Sequence, residues 1–243
     1  MTALALSAGE VRVWWARRCA ARADLADLLD PVERSRKARL RRSEDQQRFL
    51  LGASLLRRVA GAYLGVHPAM VQVDRRCAGC GEPHGKPAVP GSDLELSLSH
   101  SGDVVVLAAA RHTPLGIDVE EVAAARKPDE LAAHVLAARE RAALDALAPA
   151  DRAAGFVTYW CRKESVVKAT GDGLRAALPD VQVSPPGEPA RLLSWSGRAG
   201  APEEMSLRDL AAPAGYRACL AVLGPPPGRL VQDDAGTLLA ADW

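Results

Sequence analysis

Two short acidic segments carry the residues best suited to chemistry. The first is Gly116-Ile117-Asp118-Val119-Glu120; the second is Trp160-Cys161-Arg162-Lys163-Glu164-Ser165-Val166-Val167-Lys168. In a strand, successive side chains leave opposite faces, so Asp118 and Glu120 share one face and Ile117 and Val119 the other. Two carboxylates on one face repel each other unless a cation or a proton lies there. The second segment suits a helix, in which Glu164 and Lys168 sit one turn apart on the same face and Lys163 on the neighbouring ridge. Three carboxylates and two ammonium groups fit a hard divalent cation holding a phosphate whose remaining charge the lysines neutralise.

The elements that must position these groups can be read along the chain. Val11–Ala16 reads as an opening strand and Val71–Val73 as a short one. The pattern from Ala23 to Arg48 is helical, broken at Pro31, which suits a helix start. A long apolar-periodic helix follows over Asp45–Ala62, and Leu131–Leu147 reads as another helix. The Gly- and Pro-rich stretch Cys77–Gly91 is loop. Leu94–Leu98 alternates as a half-buried strand does, and Val104–Ala110 is apolar enough for a buried one. A weak internal repeat runs through this order. Phe49–Arg57 resembles Trp160–Lys168, 111 positions later, and Gly102–Ala108 resembles Gly215–Ala221, 113 positions later. Two matches at nearly one offset suggest a helix-plus-strands unit used twice. The first copy has Gly52 and Ala53 where the second has Lys163 and Glu164, so one half supplies chemistry and the other mainly binding.

Composition narrows the classes. A chain of 243 residues, 48% apolar, builds one domain or two small ones. A net charge of +1 argues against a protein that coats nucleic acid, although arginines crowd the segment from Arg34 to Arg48. That cluster reads either as a solvated helix face or as an anion site. Met1–Gly9 lacks the features of a secretory signal, and no apolar run is long enough to span a membrane. Five cysteines, an odd number, point to reduced thiols and a cytoplasmic protein. Cys77, Cys80 and His84 have the spacing C-x2-C-x3-H, which reads either as loop thiols or as a zinc knuckle whose fourth ligand is not evident; Glu82 and His67 are the local candidates.

The two acidic segments, together with Gly85-Lys86-Pro87 and Leu98-Ser99-His100-Ser101, resemble in order and spacing the signature of the 4'-phosphopantetheinyl transferases, in their larger surfactin-type, monomeric class. The likeness covers roughly residues 30 to 225. It implies an α+β fold of two related halves about a pseudo-twofold, with the active site in the cleft between them. The corresponding division is 1–112 for nucleotide binding and 113–223 for metal and catalysis, with a hinge near 111–116. Residues 224–243 then form an extension with little core.

The resemblance also implies the reaction: transfer of the 4'-phosphopantetheine arm of coenzyme A to a serine of an apo acyl or peptidyl carrier protein. The products are the holo carrier and 3',5'-ADP, as in a holo-[acyl-carrier-protein] synthase. Asp118, Glu120 and Glu164 are expected to hold Mg²⁺, with Val119 offering no ligand. Lys163 and Lys168 are expected to contact the coenzyme A phosphates, and Asp118 to lie against them. Lys86, Ser99, His100 and Arg48, with Arg36 beside them, are expected to anchor the nucleotide. Glu164, or a metal-bound water that it orients, is the expected base and Lys168 the group that compensates leaving-group charge. Arg139, Arg141 and the arginines near residue 40 are candidates for carrier docking. Near-neutral charge and few aromatics disfavour a nucleic-acid binder, and the intact acidic and basic residues disfavour an inactive scaffold. The chain has no G-x-x-x-x-G-K-[ST] segment, so a P-loop kinase is excluded.

Overall fold

The computed structural model describes residues 4–77, 79–124, 128–198, 200–201, 203–241 and 243. Residues 1–3 of the N-terminal segment, and Ala78 between Cys77 and Cys80, fall outside that set. The chain divides into two units, one comprising the residues up to His112 together with those from Pro227 onward, the other Thr113–Pro226.

The first unit begins with β1 (Glu10–Arg17), followed by a 3-10 turn and α1 (Pro31–Arg39). Pro31 occupies the first helical turn, where its missing N–H costs nothing. Asp30 and Glu33 cap the helix reciprocally: Glu33 N–H donates to Asp30 Oδ1 at 2.8 Å and Asp30 N–H to Glu33 Oε2 at 3.1 Å. The chain then breaks at Leu40 and restarts as α2 (Ser43–Leu64), which Gly65 ends in the left-handed conformation at φ 69°. The same two acids that cap α1 neutralise Arg57 of α2, at 2.7 Å from Asp30 and 2.6 Å from Glu33. Arg57 also donates to Val71 O at 2.8 Å. That carbonyl is thereby used by a side chain, Val71 N–H closes a turn on Pro68 O at 3.3 Å, and Val71–Val73 is not a strand; the next residue, Asp74, forms a bridge to Ala88. The hairpin of β2 (Leu94–Ser101) and β3 (Val104–Arg111) follows, turning at Gly102 with φ 51°. β3 pairs antiparallel with both β2 and β1. Leu51, Leu55, Leu56 and Val59 of α2 share a buried core with Leu96, Val105, Leu107 and Ala109 of the sheet.

The second unit repeats this plan. β4 (Leu115–Glu121) is followed by α3 (Pro128–Val135), α4 (Ala138–Asp145) and α5 (Pro149–Thr170), which again ends at a left-handed glycine, Gly171. β5 (Val181–Val183) and β6 (Leu192–Trp195) make a separate two-stranded ribbon. β7 (Met205–Asp209) and β8 (Tyr216–Leu223) complete a sheet of order β4-β8-β7, all antiparallel. The first unit has β2-β3-β1 in the corresponding order, and α2 and α5 have equal lengths of 22 residues. The fold is α+β with two related halves, as the repeat implied. The single helix expected over Leu131–Leu147 is two, because Ala137 leaves the helical conformation and its N–H is capped by Glu140 Oε2 at 2.8 Å.

The segment after Leu223 corrects the expectation of a loose extension. β9 (Arg229–Asp234) lies parallel to β1, and α6 (Gly236–Ala240) packs on α2. Arg58 of α2 holds this end of the chain by donating to Leu238 O at 3.1 Å and Ala241 O at 2.6 Å. Leu239 is 2% exposed and belongs to the first unit's core. Among the described residues no helix is long and apolar enough to cross a membrane. Leu239→Ala should destabilise the protein by about 2–5 kcal/mol in denaturant unfolding, the cost of a cavity in a packed core. A change within about 0.5 kcal/mol, as for an exposed site, would mean that the segment is an appendage.

Candidate active site

Strand β4 and helix α5 touch backbone to backbone at Gly116. A Cβ there would fall 2.0 Å from Ser165 O and 2.3 Å from Ala169 N, so only glycine permits the approach. Residues 116, 118 and 120 share one face of the strand, so the face that presses on α5 is also the face that carries Asp118 and Glu120. Asp118 is 2% exposed, and its Oδ1 accepts from Lys168 Nζ at 2.5 Å. The predicted meeting of the two acidic segments is therefore present, built by one strand and one helix of the second unit.

The charges around Lys168 define the site. Burial pulls its ammonium toward a lower pKa, but Asp118, Glu164 and Glu120 together outweigh that and hold it raised. Glu164 is raised as well: burial raises its carboxyl, the negative charge of Asp118 raises it further, and Lys168 offsets part of this. Cys161, one turn before Ser165, is pushed well above the usual thiol range by burial and by Asp118 and Glu120. Its Sγ donates to Arg217 O at 3.2 Å, so it is a protonated wall of the site and not a nucleophile. Asp118, Glu120 and Glu164 offer oxygen donors, the chemistry that fits a hard divalent cation. Among the described residues these three carboxylates do not form a group of metal-ligand atoms all within 4.8 Å of one another. Mg²⁺ keeps several waters and takes one or two carboxylates directly, so at this spacing the remaining acid would reach it through a bound water.

Lys163 is a correction. It was expected at a coenzyme A phosphate, yet it is 0% exposed and its Nζ has three partners: Glu140 at 2.6 Å, Leu178 O at 3.0 Å and Val181 O at 2.5 Å. An ammonium has three protons to donate, and all are engaged inside the fold. Glu140 in turn accepts from Val183 N–H at 2.9 Å. Burial lowers the Lys163 pKa, opposed by Glu140. The pair ties α4, α5 and the β5 ribbon together and reaches no ligand.

The expected nucleotide anchors lie in the first unit. Arg48, near the start of α2, donates to Gly102 O at 2.7 Å and pairs with Asp45, which sets it at the turn just beyond His100. Arg36 donates to Pro83 O at 2.7 Å and lies 5.4 Å from the ring centroid of Phe49, the residue after Arg48. Lys86 is 3.2 Å from Glu95 and its ammonium pKa is lowered by burial, against the pull of Glu95. Ser99 and His100 lie within β2 and not after it, so their side chains leave opposite faces, Ser99 buried and His100 exposed. They cannot act as a pair from one face. Two arginines escaped the sequence reading. Arg18 donates to Asp103 at 2.6 Å and Gln47 at 3.0 Å, at the same turn as Arg48. Arg75 has its guanidinium pKa lowered by burial and lies within the fields of Glu33, Arg36, Arg57 and Asp30. The end of a strand and the edge of a loop gave neither a distinguishing pattern.

Comparison with known proteins agrees with this two-unit arrangement. Residues 14–112 match the family described as 4'-phosphopantetheinyl transferase, N-terminal, and residues 114–221 the 4'-phosphopantetheinyl transferase superfamily. The 4'-phosphopantetheinyl transferase HetI of Nostoc sp. is 34% identical over 181 residues, covering 71% of this chain and 73% of that protein. A 4'-phosphopantetheinyl transferase of Bacillus subtilis is 32% identical, covering 62% of this chain and 64% of the relative. The 4'-phosphopantetheinyl transferase Sfp of Bacillus subtilis strain 168 is 29% identical, with 64% and 66% covered. The chain belongs to the 4'-phosphopantetheinyl transferase superfamily, in its surfactin-type class.

The burial of Lys163 separates folding from catalysis. Lys163→Met should cost about 3–5 kcal/mol of stability, because Glu140 is left charged and unpaired in the interior. Adding Glu140→Gln should return part of that loss. Calorimetry on both variants checks this; a Lys163→Met protein as stable as wild type would place the ammonium outside the core.

Proposed function

We propose that the chain transfers the 4'-phosphopantetheine arm of coenzyme A to a serine hydroxyl of an apo acyl or peptidyl carrier protein, releasing 3',5'-ADP. The observation that carries this reading is the Lys168 ammonium held against buried Asp118 with Glu164 and Glu120 around it, on residues that match the transferase superfamily. Asp118, Glu120 and Glu164 would hold Mg²⁺, which when bound supplies charge compensation for the pyrophosphate.

The protein's own groups then divide the work. The serine oxygen attacks the phosphorus that carries the pantetheine arm, and the bond to 3',5'-ADP breaks. Glu164, or a water that it orients, takes the serine proton, a role for which its place one turn from Lys168 on α5 suits it. Lys168 compensates charge that grows on the leaving phosphate, where a fixed donor favours the transition state over the bound substrate. His100, Arg48, Lys86 and Arg36 anchor the nucleotide phosphates; Ser99, being buried, supports β2. For the carrier, exposed Arg139 and Arg141 on α4 offer cations to an acidic partner. A depression of about 260 Å³ beside them, lined by Ala132, Ala133, Arg141, Leu144, Asp145 and Arg152, offers an adjoining, mainly polar surface with two arginines.

Intact mass of an apo carrier after incubation with the protein, coenzyme A and Mg²⁺ tests the reading. One added phosphopantetheine arm is expected, lost in EDTA and lost with Asp118→Ala. Removing Lys168 as Lys168→Met should cost about 10²–10³ in the single-turnover rate. Full transfer by wild type in EDTA, or near-normal transfer by Asp118→Ala, would defeat the assignment.

A further inference from the structure

The loop between β2 and the preceding bridge at Asp74 holds a second cluster that the transfer chemistry does not use. Cys77 Sγ, Cys80 Sγ and a ring nitrogen of His84 all lie within 4.8 Å of one another. Cys80 Sγ and His84 Nε2 are 3.0 Å apart. In a tetrahedral zinc site with Zn–S bonds of about 2.3 Å, neighbouring ligand atoms sit roughly 3.5–3.8 Å apart, so the three are already gathered at the scale of one coordination sphere.

The backbone builds this gathering. Cys77 N–H donates to Glu82 O at 2.9 Å, Gly81 N–H to Cys77 O at 2.8 Å and His84 N–H to Glu82 O at 2.8 Å. Gly79 N–H points at Cys77 Sγ at 3.4 Å, a contact that favours the thiolate form a metal needs. Gly81 takes φ 77°, and a Cβ on Gly85 would fall 2.6 Å from Arg76 O. The loop therefore folds back tightly on Arg75 and Arg76, with its ligand side chains turned outward. Cys80 and His84 are exposed, and Cys77 is half-buried, so no apolar core accounts for their convergence. No disulfide links the described cysteines.

We propose that Cys77, Cys80 and His84 bind one zinc ion, with solvent as the fourth ligand. Two thiolates and an imidazole select a borderline-soft ion over Mg²⁺, whose partners are hard oxygens. Neither sequence candidate for a fourth protein ligand joins the group. His67 is engaged locally, its Nδ1 accepting from Ala69 N–H at 3.2 Å and its ring 6.3 Å from that of Trp243. The ion is a staple for the loop. Pro83, between the ligands, receives Arg36, and Lys86 follows two residues after His84. Zinc would thus fix both groups from a segment that has little hydrophobic packing of its own.

The test uses the full-length chain without a histidine tag. Elemental analysis of protein purified in zinc-supplemented medium should give one zinc per chain. After chelation, titration with Co²⁺ should produce the visible bands of a tetrahedral, sulfur-ligated ion. Zinc, which binds such sites more tightly, should abolish those bands, and excess Mg²⁺ should not. Cys77→Ser with Cys80→Ser should lose both the zinc and the bands, whereas Cys19→Ser should keep them. Zinc should also slow amide exchange across residues 79–86, a readout on wild type that needs no variant. A folded wild-type protein that takes up neither zinc nor cobalt overturns the proposal. So do bands that survive loss of both thiols, and zinc uptake that leaves exchange in the loop unchanged.

Discussion

The second unit depends on the absence of a side chain at Gly116. With no Cβ there, β4 seats against α5 at Ser165 and Ala169. That contact brings a strand carboxylate within 2.5 Å of a helix ammonium one turn beyond Glu164. The electrostatics follow from this steric fact. A buried aspartate, a glutamate whose ionisation is opposed by burial and by its neighbour, and a lysine held charged by all the nearby acids are mutually consistent only at this spacing. A wider strand–helix separation would hydrate each group and return it toward ordinary behaviour.

The two halves show how one plan is used differently. Both place a 22-residue helix, ended by a left-handed glycine, on antiparallel strands of matching order. In the repeat, Arg57 stands where Lys168 does. Arg57 is buried against Asp30 and Glu33 and fixes α1 on α2, whereas Lys168 remains 29% exposed and faces the acidic cluster. Gly52 and Ala53 replace Lys163 and Glu164 in the first half. A Cβ on Gly52 would fall 2.9 Å from the Leu98 side chain, so this position serves packing of α2 on β2. The corresponding Lys163 instead pairs with Glu140 and holds α5 to α4 and the β5 ribbon.

Much of this was legible because it rests on short-range rules. Strand alternation put Asp118 and Glu120 on one face, i and i+4 spacing put Glu164 with Lys168, and the repeat anticipated two halves of matching topology. Lys163 was misread although the same geometry warns against it: neighbouring residues on a helix point about 100° apart, so Lys163 and Glu164 do not share a face. The alternation that placed Asp118 also separates Ser99 from His100. The tail was obscured by Gly224–Gly228, which reads as a tether, while the burial of Leu239 depends on a distant helix. Val71–Val73 is not a strand: Val71 closes a turn on Pro68 O, and its own carbonyl accepts from Arg57, fourteen positions away. Long-range partners of this kind leave no periodic trace.

Gly116 is the steric key to the acidic cluster. The direct measurement is single-turnover phosphopantetheine transfer to a carrier by Gly116→Ala, alongside its thermal unfolding. The added methyl must push β4 from α5, so the account predicts a lower melting temperature and, in the protein that remains folded, a fall in transfer of at least about a hundredfold, the scale of losing one preorganised charge contact. A Gly116→Ala protein with wild-type melting and a wild-type transfer rate would contradict it.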